Sequence, residues 1–196
     1  MIRKNAFVVT IVGAESSGKT VLAKHLAAAL SCEWVPEFAR EYLEKLDRPY
    51  EFEDLEAIAR GEWDLIMGEN KVPPSQEESS SSVSNEASSI PLPGELKDLD
   101  DLVKWLKSIH EQIVIIDAGM LTIRMWARIK YDRKVPFVEE MMEQDPTSIY
   151  LLCRPRMEWE SDPLREAPIL IDRVWIFNQY LKEMVQQKFD FKILQR

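Results

Sequence analysis

The residues of this 196-residue chain whose spacing most clearly implies chemistry are Gly13, Ala14, Glu15, Ser16, Ser17, Gly18, Lys19 and Thr20. They match the pattern G-x-x-x-x-G-K-[ST] at every fixed position. Glycines at the two ends let the backbone turn so that successive N–H groups point at one place, where phosphate oxygens can sit. Lys19 adds a cation for the β and γ phosphates, and the Thr20 hydroxyl is a hard oxygen ligand suited to Mg²⁺. All eight residues are therefore expected to line a bound ATP. A coincidental glycine-containing turn is the plain alternative. The context argues against it: an apolar run, Phe7–Val12, precedes the motif, and a helix is expected to begin at Gly18 or Lys19. The positive end of that helix would add to the anion site.

Such a loop needs a second anchor for magnesium, usually an acid at the end of a neighbouring apolar strand. Asp117, which closes the run Ile113–Asp117, fills that requirement. Its alternative role is capping the next helix. Glu37 follows a short second strand, where a carboxylate can bind or deprotonate an acceptor hydroxyl. Otherwise it is a helix N-terminal acid favoured by the macrodipole. Arg40 lies one turn on and is a candidate acceptor-binding residue, or a partner of Glu37 or Glu44. Arg154, Arg156 and Arg165 stand among prolines and acids after a later strand. Arg165 is the candidate catalytic arginine of a lid closing over the transferred phosphate, with surface ion pairing as the alternative.

The elements that must position these groups follow from periodicity. Phe7–Val12, the stretch around Cys32–Glu37, Ile113–Asp117, Ser148–Cys153 and the near-terminal Phe191–Leu194 read as strands. Helical spacing is found over Thr20–Leu30 (through Val21, Leu22, Leu26 and Leu30), Phe38–Leu46 up to a break at Pro49, Phe52–Met67, Leu96–Ile109, Leu121–Lys130, Pro136–Glu143 and Ile169–Lys188. Acids at Glu51, Glu53 and Asp54 suit a helix start. The central strands lack period-two alternation, so both faces are expected to be covered, as in a parallel sheet between helix layers. The fold class expected is therefore α/β, a three-layer P-loop NTPase fold with a five-stranded parallel sheet and a small lid. Residues 1–196 are expected to form one domain.

Residues 73–94 are rich in serine, glutamate and proline and offer almost nothing to bury. They read as a disordered insertion, and as a docking segment if a protein partner exists. The net charge of −9, with no basic block, argues against nucleic acid as a partner. No window approaches the roughly 18 apolar residues of a membrane span. The N-terminal charge and apolar run mimic a secretory signal but lead straight into the glycine motif, so the run reads as a buried strand. Cys32 and Cys153 fit no metal or redox spacing and suggest reduced, half-buried thiols in a cytoplasmic protein. His25 and His110 read as ordinary surface or core histidines. Trp126, Trp159 and Trp175 read as core residues, with base stacking as the alternative.

Five stretches in order, GAESSGKT, VPEFAREYLEKL, YEFEDLEAIARGE, IIDAGMLTIRMWARIKYD and YLLCRPRMEWESDPLRE, resemble the NadR-like ribosylnicotinamide kinases and their single-domain relatives. The resemblance covers nearly everything but the serine-rich stretch. It implies an ATP- and Mg²⁺-dependent kinase that converts nicotinamide riboside to nicotinamide mononucleotide, on a P-loop kinase fold. In that mapping Gly13–Thr20 hold ATP, Glu37 and Arg40 face the acceptor, Asp117 serves magnesium or the acceptor, and Arg165 is the lid arginine. The sequence departs from the pattern at Gly119, where relatives often have a second acid, and at Arg154 and Arg156. Larger members also carry an adenylyltransferase domain, whose His-x-x-His pair is not found here. Two other functions fit the same residues: a kinase for another nucleoside, and a regulatory ATPase that signals to a partner.

Overall fold

The computed structural model of the chain describes residues 6–68, 99–109, 112–156 and 169–194. Its strands are β1 (Phe7–Gly13), β2 (Glu33–Val35), β3 (Ile113–Asp117), β4 (Ile149–Cys153) and β5 (Phe191–Leu194). Its helices are α1 (Lys19–Leu30), α2 (Phe38–Glu44), α3 (Asp54–Met67), α4 (Leu99–Ile109), α5 (Gly119–Tyr131), α6 (Pro136–Met142) and α7 (Leu170–Gln187). The strands form one sheet in the order β2-β3-β1-β4-β5, every neighbouring pair parallel. This is the P-loop NTPase architecture expected from the sequence.

The pleat sorts the apolar strand residues onto two covered faces. Val9 and Ile11 of β1, Ile113 and Ile115 of β3, and Ile149 and Leu151 of β4 pack with Leu22 and Leu26 of α1 and Leu102 and Leu106 of α4. On the other face, Val8, Val114 and Ile116 meet α2, α3, α5 and α6. Val12, Tyr150 and Leu152 meet α5 and α7 there. Burial on both sides explains why β3 and β4 are buried at every position and show no alternation in sequence. Leu22 and Leu26 are fully buried, each worth about 1.5–3 kcal/mol, and so fix α1 beneath the glycine loop.

β1 lies between β3 and β4: the connection from β1 runs to the β2 edge, and the one from β3 crosses β1 to reach β4 on the other side. The carboxyl ends of β1 and β3 flank the crevice that such a reversal opens, the usual ligand position in open α/β sheets. Register places Ile11 beside Asp117 and Gly13 beside Cys153 at that end.

Several expectations need correction. Val21 lies on the outer side of α1 and is 59% exposed, so the core stripe is Leu22, Ala23, Leu26 and Ala27. α2 stops at Glu44, well before Pro49. Beyond it, Arg48 forms a two-pronged bond with Asp54 at 2.7 and 2.8 Å, and Asp54 also receives the Glu51 N–H at 2.7 Å. These bonds hold the connection as a loop and keep the Asp54 carboxyl down at about 2, the Arg48 bond being the largest cause. α5 begins at Gly119, two residues earlier than periodicity suggests. Cys153 is buried rather than half-buried; both cysteines are free. The 73–94 segment, His110, Trp159 and Arg165 lie outside the described residues.

Candidate active site at the carboxyl ends of the central strands

The glycine loop leaves β1 through backbone conformations open to few residue types. Gly13 has φ 146°, and a Cβ there would stand 2.8 Å from the Cys153 carbonyl oxygen. Gly18, the residue before α1, has φ 79°, and Ser16 between them has φ 51°. The loop is braced from inside: Ser17 Oγ donates to the Ala14 carbonyl at 2.8 Å, and Lys19 Nζ donates to the same oxygen at 3.0 Å. Lys19 thus lies folded over its own loop, where a phosphate would give it a stronger partner.

Asp117 closes β3 beside this loop. It shares the pleat face of Ile113 and Ile115, the face covered by α1, and its carboxylate accepts a hydrogen bond from the Thr20 hydroxyl. The residue in the cap position of α5 is Ala118, which makes no side-chain cap bond, and not Asp117. Asp117 is 1% exposed, and its Oδ1 has no hydrogen-bond partner. Burial pushes its carboxyl above the ordinary range, opposed by the Thr20 bond and by Lys19. Thr20 and Asp117 offer two hard oxygen ligands on one spot, a donor set that fits Mg²⁺ with the remaining ligands from nucleotide and water. Among the described residues no three His, Cys, Asp or Glu side chains group to hold a metal by themselves.

The chain turns sharply after Asp117. Ala118 has φ 76° and ψ −64°, the strained γ-turn region, while its N–H is tied to the Ile11 carbonyl at 2.9 Å. Gly119 follows with φ 65°, and a Cβ there would come within 2.9 Å of Thr10 Cγ2. The absent acid at this position has a steric reason: a non-glycine residue would be strained and crowded.

Glu37 precedes α2 and makes no cap hydrogen bond with that helix. It lines a narrow cleft with Glu62, Gly119, Thr122 and Trp126. Burial raises the Glu37 carboxyl, Lys19 draws it down, and Asp117 raises it again. Lys19, Glu37 and Asp117 therefore share one electrostatic neighbourhood, which three distant sequence positions did not require.

Sequence reasoning missed Glu62. Only 1% exposed, it uses Oε2 to accept the Phe38 N–H at 2.8 Å, one of the orphan donors at the start of α2. Its Oε1 has no hydrogen-bond partner. The Gly119 amide lies close enough to favour the charged form without making a well-formed bond to that oxygen. Burial nevertheless pushes the Glu62 carboxyl up to about 8, with Glu37 and Asp117 adding to the rise. A signal was present: Leu55, Ile58, Ala59, Glu62 and Ile66 form one buried helical stripe, and the acid interrupts it.

The arginines divide. Arg40 is exposed and pairs with Glu44 at 3.7 Å, although its charge still favours ionised Glu37 and Asp117. Arg154 lies over the Phe177 ring at 5.4 Å, and Arg156 is exposed. Trp126 stands at the cleft, stacked on Tyr50 with ring centres 5.8 Å apart. Trp175 is half exposed and lines a separate groove with Arg128 and Glu183. His25 is an exposed residue of α1.

Comparison with known proteins agrees with this architecture. A family model described as an AAA domain matches residues 8–67, the segment from β1 to the end of α3. Among solved structures, a NadR protein in complex with NR superposes with a TM-score of 0.64 at 17% identity, over 97% of this chain and 46% of that one. A NadR protein in complex with NAD and AMP-PNP gives a TM-score of 0.60 at 17% identity, over 97% and 44%. The chain thus spans a little under half the length of those proteins. At this identity the likeness is one of fold. Among the described residues no helix is long and apolar enough to cross a membrane.

Proposed function

We propose that this protein is an ATP-dependent kinase for a small nucleoside, with nicotinamide riboside the leading acceptor. The observation that carries the reading is the convergence of Lys19, Asp117 and Glu37 at adjoining strand ends, with an apolar, acid-lined cleft opening beside them. A phosphate loop alone would serve an ATPase; a carboxylate facing a cleft next to it supplies an acceptor side. The fold likeness to a NadR protein in complex with NR supports the choice of acceptor.

In this reading the loop N–H groups and Lys19 bind the β and γ phosphates and stabilise the charge that develops on the transferring group. Thr20 and Asp117 would hold Mg²⁺, which would supply charge neutralisation across the phosphates. Glu37 orients the acceptor hydroxyl and accepts its proton as the new oxygen–phosphorus bond forms. The bond from the γ phosphorus to the bridging oxygen breaks, and ADP carries the electron pair away. A carboxyl raised toward neutrality is a better base for this step than an ordinary one.

The test is ATP turnover measured with and without nicotinamide riboside, with the phosphorylated product identified by mass. Acceptor-dependent ADP release with stoichiometric nicotinamide mononucleotide supports the reading. ADP release that no nucleoside stimulates rejects it.

A further inference from the structure

We propose that Glu62 is a positioning residue for phosphoryl transfer: by capping α2 from the neighbouring helix, it leaves the Glu37 carboxyl turned into the cleft that receives the acceptor hydroxyl. This rests on the reading of Glu37 as the base.

Three observations carry it. First, Glu37 holds the cap position of α2, with φ −65° and ψ 115°, yet makes no cap bond. The first N–H groups of a helix have no intrahelical partner and attract an acidic side chain near them. A carboxyl at that position has every reason to turn back onto the helix. Glu37 instead lines the cleft with Thr122 and Trp126.

Second, the acceptor that α2 needs comes from α3. Glu62 Oε2 accepts the Phe38 N–H at 2.8 Å, at the residue directly after Glu37. Burial pushes the Glu62 carboxyl up to about 8, so at neutral pH it is mainly protonated. With Oε2 engaged as the acceptor, the proton belongs on Oε1, which has no hydrogen-bond partner among the described residues. A neutral carboxyl is enough for this bond, so the brace does not depend on the balance of charges in the cleft.

Third, the brace is built into the packing of the two helices. The Tyr42 hydroxyl donates to Asp54 at 3.1 Å, and the Phe38 bond to Glu62 ties the other end, so α2 and α3 run antiparallel. Between these ties, Ala39 and Leu43 of α2 pack in one core with Leu55, Ile58 and Ala59 of α3. Gly61 permits the close approach: a Cβ there would stand 2.2 Å from the Phe38 ring. Glu62 is 1% exposed, so water is poorly placed to substitute for it. Without Glu62 the start of α2 lacks an acceptor, and Glu37 is the carboxyl beside it in the chain. A shift of about 1 Å in a reacting group can cost about 10²-fold in rate.

The experiment measures transfer from labelled ATP by the full chain with Mg²⁺, as maximal rate and KM. The acceptors are nicotinamide riboside, adenosine, guanosine, cytidine and uridine. Glu62→Met fills a similar space without an acceptor atom for the Phe38 N–H. Its maximal rate should fall about 10- to 10²-fold, with KM for ATP and for the nucleoside within threefold of the parent. Glu62→Gln, the conservative variant, keeps an acceptor oxygen and should restore the rate to within threefold. In a Glu37→Gln background, Glu62→Met should add less than a twofold loss, because the group it positions is gone. If Glu62→Met does not fold, Glu62→Asp, one methylene shorter, takes its place in each comparison. Transfer at the parent rate in Glu62→Met, no restoration by Glu62→Gln, or full additivity with Glu37→Gln overturns the assignment. So does a rise in KM without a fall in maximal rate. A parent that phosphorylates none of the five nucleosides rejects the kinase reading and this inference with it. A parent that phosphorylates one, with variants outside the expected pattern, rejects the inference alone.

Discussion

Lys19 Nζ donates to the Ala14 carbonyl at 3.0 Å, so the cation meant for phosphate rests on the loop that presents it. The bond is partly solvent-exposed and worth about 1 kcal/mol at most to the fold. Lys19→Ala should therefore shift the melting temperature by only a few degrees yet lower ATP turnover by about 10²-fold or more, because the lost charge acts on the transferring phosphate. Turnover within threefold of the parent in a folded variant would remove the phosphate loop from the chemistry.

Asp117 and Thr20 meet through a hydrogen bond at the ends of β3 and the glycine loop. Asp117→Asn keeps the size of the side chain and removes the charge a divalent cation requires. Its affinity for ATP with Mg²⁺ should fall about tenfold or more, the difference between charged and neutral oxygen ligands. Affinity in EDTA should stay level or rise. Equal loss with and without metal would assign Asp117 to loop structure instead.

Glu37 faces the cleft without capping α2. Glu37→Gln should slow single-turnover phosphoryl transfer to nicotinamide riboside by about 10²–10⁴-fold, the usual cost of a lost positioned base. Nucleotide affinity should barely change. Transfer at the parent rate would end the assignment of Glu37 as base.

Glu62 links stability to pH. Burial pushes its carboxyl up from 4.5 to about 8 in the fold. The unfolded chain therefore releases this proton first, and stability contributed by the neutral form is lost as pH rises through that window. The slope implies a loss of a few kcal/mol in total from this group. Urea unfolding at pH 5, 7 and 9 should show the decline in the parent and a flatter profile in Glu62→Gln. Parallel profiles would mean that Glu62 is ionised in the fold at neutral pH.

A second charged group lies away from the site. Arg124 and Arg128 on α5 both meet Glu139 of α6 and Glu183 of α7, with Arg124 at 2.7 Å from Glu139 and Arg128 at 2.8 Å from Glu183. Arg124 and Glu183 are only 10% and 9% exposed. Glu183→Ala leaves two guanidinium groups short of a buried partner and should cost about 2–4 kcal/mol. Nucleotide affinity should be unaffected. A change below 0.5 kcal/mol in chemical denaturation would show that water replaces the carboxylate freely.

The sequence by itself determined the parts that depend on local pattern. The glycine loop, the apolar strands and most helix bounds follow from spacing along the chain, because turn conformation and one-sided burial impose short-range rules. Asp117 was legible as an acid ending an apolar run. The tertiary structure decided which acids meet. Strand order sets Asp117 beside the glycine loop, and the packing of α3 on α2 brings Glu62, twenty-five positions beyond Glu37 in the chain, into the same cleft. No local rule couples those positions. Their shared burial raises all three carboxyl groups together, an effect of distance in space and of excluded water, and neither quantity is written in the order of residues.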